Sequence, residues 1–170
     1  MASASKDYVI LVGHGGLPSD IPPAKIAELK RLEGERRAAG EVRMTEAEAE
    51  LDAEVRKWPR TDETDPYRAG LEAVAEQLRA QLGSRQLLIA YNEFCAPSIE
   101  DALAHAVSKG AASIVLVSTM FTPGGSHSEV EIPEIVEVAR TTYPDIDIRY
   151  AWPFDLSSVA GFLRAHLDDT

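Results

Sequence analysis

Residues 7–16, DYVILVGHGG, are an apolar run that breaks abruptly into glycine and histidine. Tyr8, Val9, Ile10, Leu11 and Val12 follow one another without polar alternation. The run therefore reads as a strand covered on both faces, as in a parallel sheet layered between helices. Three further segments carry the same signal: 86–91 (QLLIAY), 113–119 (SIVLVST) and 146–152 (IDIRYAW). Helical patterns lie between them. Asp65 followed by Pro66 is a strong start signal, and Tyr67, Leu71, Val74, Leu78 and Leu82 then recur at helical spacing up to Gly83. Ser98 opens the next helix, Ile99, Leu103 and Val107 form its apolar stripe, and Gly110 closes it. Another helix is expected after Ser128 or Pro133, and a last one over about 156–167. This strand–helix order predicts an α/β fold: a doubly wound, mainly parallel four-stranded sheet with right-handed crossovers.

Residues 24–62 do not share this rhythm. They are rich in charge and lack a strand signal, and they divide at Gly40 into 26–39 and 44–58. In the second piece Met44, Ala47, Leu51, Val55 and Trp58 step by three or four, a narrow apolar seam. Thr45 with Glu48 fits a capping box. The segment is therefore predicted to be a charged helical hairpin inserted into a single domain spanning 1–170. Its seam must pack on the partner helix, the domain, a second subunit or a ligand.

Composition narrows the function. The 170 residues include 28 acidic and 17 basic side chains, a net charge of −11, which argues against a phosphate-gripping nucleic-acid protein. The apolar runs fall far short of the roughly 20 residues that span a bilayer, and residues 1–6 lack a leader core, so a soluble, unexported protein with no membrane partner is expected. Cys95 is the only cysteine. It permits no internal disulfide or multi-cysteine metal site, which suits a reducing cytoplasm, and it reads as a packing residue.

In open parallel sheets ligands sit beyond the carboxyl ends of the strands. Three such ends are chemically loaded: Gly13-His14-Gly15-Gly16, then Tyr91-Asn92-Glu93-Phe94, then Pro123-Gly124-Gly125-Ser126-His127. His14, Glu93 and His127 can thus meet at one edge. Two imidazoles and a carboxylate suit Fe, Co, Ni, Cu or Zn and leave coordination positions open. His105 and His166 fall inside helices and read as surface residues. The glycine loop lacks the third glycine of a dinucleotide fingerprint and has no phosphate-loop lysine. A Gly-x-Ser-x-Gly nucleophile turn is also missing.

The stretches VILVGHGG (9–16), YNEFCAPSI (91–99) and above all MFTPGGSHSEVEIPEI (120–135) resemble the small class II tetrapyrrole chelatases of the CbiX/SirB sirohydrochlorin chelatase family. The resemblance covers 7–17 and about 66–165. It implies insertion of a divalent metal (Co, Ni or Fe) into sirohydrochlorin or a related tetrapyrrole. The metal is a substrate, and neither ATP nor an organic cofactor is needed. The resemblance places His14, Glu93 and His127 at the metal and in the catalytic role. Gly15, Gly124, Gly125 and Ser126 are expected to touch the macrocycle, the two loop glycines letting backbone approach a flat ring. The same residues would equally serve a non-catalytic protein that carries metal or tetrapyrrole.

Two features depart from the family pattern. Gly16-Leu17 replaces the Ser-Arg that follows His-Gly in many relatives, and the charged hairpin is extra. Longer relatives join two such domains, so a homodimer is expected, with the hairpin as arm or lid. The substrate carboxylates need local cations, for which Arg43, Arg56, Lys57 and Arg60 are the candidates.

Overall fold

A computed structural model describes residues 6–41 and 43–168. The reading of residues 1–6 falls almost wholly outside them. Four strands, β1 (Lys6–Gly13), β2 (Gln86–Tyr91), β3 (Ala111–Ser118) and β4 (Asp147–Tyr150), form one all-parallel sheet in the order β2-β1-β3-β4. The helices are α1 (Pro23–Ala38), α2 (Glu46–Arg56), α3 (Pro66–Arg79), α4 (Ile99–Ser108), α5 (Ile132–Thr142) and α6 (Leu156–Asp168). A π-helical turn, His127–Glu131, runs directly into α5. Among the described residues no helix is long and apolar enough to cross a membrane.

β1 is central and covered on both faces. Tyr8, Ile10 and Val12 point into the larger core with Leu103 and Ala106 of α4 and Val136 of α5, while Val9 and Leu11 meet Leu71 and Ala75 of α3. β3 departs from the expectation of full cover. Ile114 and Leu116 are buried, but Val115 and Val117 on the opposite face are only half-buried. α6 buries none of its residues, so that face lacks the helix the doubly wound pattern calls for.

The start signals act largely as read. Asp65 caps α3 by accepting from the Arg68 N–H at 3.0 Å, and Ser98 with Asp101 completes a capping box on α4. The expected box at α2 is half made. Thr45 accepts from the Glu48 N–H at 3.2 Å, yet the buried Glu48 carboxylate turns to Arg36 on α1, 2.9 Å away. An interhelical ion pair thus takes the place of the reciprocal cap. The hairpin seam packs inward: Val55 is buried with Leu29 and Ile21, and Leu17, Leu51, Trp58 and Phe94 close around them. Met44, at the seam's start, stays exposed.

One buried ion pair ties the hairpin to the sheet edge. Arg60 and Asp65 are 3% and 1% exposed and pair directly, and Arg60 also donates to the carbonyls of Gly16, Val55 and Phe94. This removes Arg60 from the candidates for substrate binding, because its guanidinium is enclosed and both terminal nitrogens are engaged by backbone and Asp65, while its buried Nε has no partner among the described residues. Taking away one member of such a pair strands a buried charge. Asp65→Ala is expected to lower the unfolding free energy by about 3–5 kcal/mol, since the cap is lost together with the pair. A urea midpoint near that of the unaltered chain would contradict this reading.

Candidate metal centre

Register delivers the site. β1 pairs with β2 up to Gly13 opposite Tyr91, and with β3 up to Val12 opposite Ser118, so three strands end together. The loops beyond them are then stitched to one another. Asn92 and Glu93 donate their N–H groups to the carbonyls of Gly13 and His14, at 2.9 and 2.8 Å, and Thr119 donates to that of Val12 at 3.0 Å. Gly15 adopts φ +98°, and a Cβ there would lie 1.8 Å from the Glu93 carbonyl oxygen. Glycine is thus required for the two loops to touch.

On this edge the structure brings together His14, Glu93 and His127. One donor atom from each lies within 4.8 Å of the others, the one such grouping of three or more among the described residues. His14 Nε2 is 3.8 Å from Glu93 Oε2, and His127 Nε2 is 3.9 Å from Glu93 Oε1. The two imidazoles meet edge to face with centroids 4.9 Å apart. All three side chains are partly buried and still reach solvent.

Their hydrogen bonds assign the tautomers. His14 Nδ1 lies 2.8 Å from the carbonyl of Gly15, which can only accept, so Nδ1 carries the proton and Nε2 offers its lone pair. His127 Nδ1 lies 2.8 Å from Glu131 Oε2, with the same result. Asn92 Nδ2 donates to the same Glu131 oxygen at 2.9 Å and so braces the carboxylate; its 2.9 Å approach to His127 Nδ1, itself a donor in this tautomer, is not a hydrogen bond. Partial burial alone would push the Glu131 carboxyl up, but hydrogen bonds from His127 and Asn92 outweigh it and hold the group below the ordinary range. Glu131 is therefore an anion at neutral pH, as a carboxylate orienting an imidazole must be. The sequence reading passes over Asn92 and Glu131. The four-residue step from His127 to Glu131 was the available signal, but i,i+4 pairs are common on helices and rarely mark a site.

The loop after β3 is held at its base and open at its tip. Buried Ser128 donates to the Met120 carbonyl at 3.0 Å, and Gly124 donates its N–H to Glu129 at 2.8 Å. Gly124 has φ +90° and nothing within 4 Å of a Cβ, while Gly125 and Ser126 are exposed. The backbone there borders free space beside His127. His105 and His166 are exposed on α4 and α6, as read. Cys95 is buried and burial pushes its thiol up, which fits a packing role.

A cavity of about 390 Å³ opens beside Glu93, between the hairpin and the site; Arg36, Arg37 and Arg56 line it together with Glu131 and Glu134. Of the four expected cationic residues only Arg56 reaches it. Arg43 and Lys57 are exposed away from it.

The profile of the CbiX family matches residues 63–168, more than half of the chain. The chain belongs to the CbiX family. The matched span of this CbiX chain holds Glu93 and His127 and begins after β1, His14 and both hairpin helices. A curated relative, the sirohydrochlorin cobaltochelatase of Priestia megaterium, is 31% identical over 68 residues, 40% of this chain and 22% of that protein's length. The sirohydrochlorin chelatase SirB of Bacillus subtilis subspecies spizizenii, solved in complex with cobalt, superposes with a TM-score of 0.52 at 21% identity. It covers 87% of this chain and 43% of its own. A cobalamin biosynthesis CbiX protein of Marinobacter aquaeolei VT8 superposes with a TM-score of 0.53 at 15% identity over 96% of this chain and 99% of that one. The two structural likenesses extend the CbiX fold across the whole described sheet.

Glu131 lends itself to a direct check. Replacing a group that orients a metal-bound histidine typically costs 10–100-fold in metal affinity. Glu131→Ala is expected to weaken Co²⁺ binding, followed by the ligand-field absorption of the bound ion, within that range.

Proposed function

We propose that this chain inserts a divalent metal, Co, Ni or Fe, into sirohydrochlorin or a related tetrapyrrole, without ATP or an organic cofactor. The observation that carries the reading is the meeting of His14, Glu93 and His127 at the strand ends of a CbiX-family chain. The family name supplies the reaction class, and the donor set supplies the chemistry.

Metal insertion exchanges one divalent ion for two pyrrole N–H protons, so charge balances only if both protons leave. A site for this task must hold the ion weakly and accept protons near neutral pH, and imidazole does both. The Nε2 lone pairs of His14 and His127 hold the ion against Glu93, whose charge offsets part of the ion's own. An ion about 2.1 Å from each donor needs donor pairs no more than about 4.2 Å apart. The two histidine–Glu93 pairs, 3.8 and 3.9 Å, fall inside that limit, and all three donors lie within 4.8 Å of one another. As the pyrrole nitrogens take the ion, the imidazoles are released as proton acceptors. Gly124, Gly125 and Ser126 are assigned to the macrocycle, which the open backbone at Gly124 and Gly125 supports, whereas Gly15 is buried against the Glu93 carbonyl and serves instead to let the two loops meet.

The partner we propose is a second copy of the chain, in a cytoplasmic setting. Supporting it, α6 exposes Leu156, Phe162 and Leu163 by 59%, 66% and 46%, more apolar surface than an isolated 13-residue helix sustains. The hairpin spends its seam on its own domain, which favours α6 over the hairpin as the contact.

Anaerobic mixing with sirohydrochlorin and Co²⁺, Ni²⁺ or Fe²⁺ is expected to shift the macrocycle's visible spectrum faster than the protein-free control. His14→Ala and His127→Ala should each remove most of that rate while leaving the far-ultraviolet circular dichroism intact. No rate above the control with any of the three metals would reject the enzyme and favour a carrier. Sedimentation equilibrium is expected to return a dimer for the unaltered chain and a monomer for Phe162→Glu; a monomeric unaltered chain would remove the second copy.

A further inference from the structure

The charged hairpin does more than cover the site. At the end of α2, Arg56 donates through Nη2 to the Asn92 carbonyl at 3.0 Å and through Nη1 to the Cys95 carbonyl at 3.3 Å, while Nε pairs with Asp52 at 2.7 Å. Its own carbonyl accepts the Ala96 N–H at 3.1 Å. Arg60, four residues on, donates to the Phe94 carbonyl. Glu93 is thus flanked by three residues, Asn92, Phe94 and Cys95, whose carbonyls all end on guanidinium groups from this one segment. Phe94 needs the support, for its φ of +57° is one that side-chain-bearing residues rarely adopt, and its ring packs into the hairpin core with Val55 and Leu29.

We propose that Arg56 and Arg60 are positioning residues that hold the Glu93 loop, so that Glu93 stays in reach of His14 and His127. The functional half of this rests on the metal reading of Glu93 given above. A guanidinium suits the task because its rigid fork reaches two carbonyls at once, and its charge is partly spent on Asp52 and Asp65. Arg56 is accordingly withdrawn from substrate binding: its two terminal nitrogens are engaged with backbone.

Arg56→Met tests this, with Arg31→Met as control, since among the described residues Arg31 pairs only with Glu28 and Glu35 of its own helix. Hydrogen exchange read by mass spectrometry should show the amides of residues 92–96 exchanging at least about 10-fold faster in Arg56→Met, with the β1 and β3 amides unmoved. Co²⁺ titration of the protein alone should show binding weakened about 10–100-fold, the range for lost support of a metal ligand. The KM for metal should rise while that for the macrocycle stays put. Arg31→Met should change none of these. If Arg56→Met does not fold, Arg56→Lys replaces it, keeping the charge but not the fork. Exchange and Co²⁺ affinity both equal to those of the unaltered chain would overturn the proposal. A looser loop in a protein whose unaltered form binds no Co²⁺ would support the hold on the loop and overturn the metal reading of Glu93.

Discussion

The parallel pairing of β1 with both β2 and β3 is the constraint on which everything else rests. Because β1 is flanked on each side in register, three strands must terminate at the same height, and whatever follows them is pushed to one edge. His14, Glu93 and His127 owe their proximity to this ladder and to no contact local in sequence. The buried residues of β1 serve both cores at once, so the strand that aligns the strand ends is held from both faces.

At that edge the protein fixes the orientation of the side chains. Each histidine spends Nδ1 on an acceptor, Gly15 O in one case and Glu131 in the other, and each turns Nε2 toward Glu93. Rotation of either ring would cost a hydrogen bond, so both Nε2 atoms stay aimed at Glu93, 3.8 and 3.9 Å from its carboxylate.

The charge of residues 24–62 divides into two kinds. Pairs such as Arg31 with Glu28 are exposed, lie within one helix and contribute little to stability. Glu48 with Arg36 and Arg60 with Asp65 are buried; the first joins α1 to α2, and the second fixes Arg60 where it also reaches the distant carbonyls of Gly16 and Phe94. The second kind makes the hairpin part of the domain: it shares a core with Phe94 and Leu17, and its guanidinium groups meet the loop that carries Glu93.

What the sequence by itself determined was whatever depends on local periodicity and short-range chemistry. The apolar runs located four strands within a few residues, the caps at Asp65 and Ser98 located two helix starts, and the strand-end rule singled out His14, Glu93 and His127. The tertiary structure alone decided which partner each charge would choose. Glu48 left its cap for Arg36, and Arg60 was enclosed where an exposed cation was expected. Asn92 and Glu131 became the support of His127, while α6 stayed exposed and one face of β3 was only half-covered. A helix pattern states which face is apolar, but an ion pair or a second hydrogen bond depends on distances between segments that only the folded chain brings together.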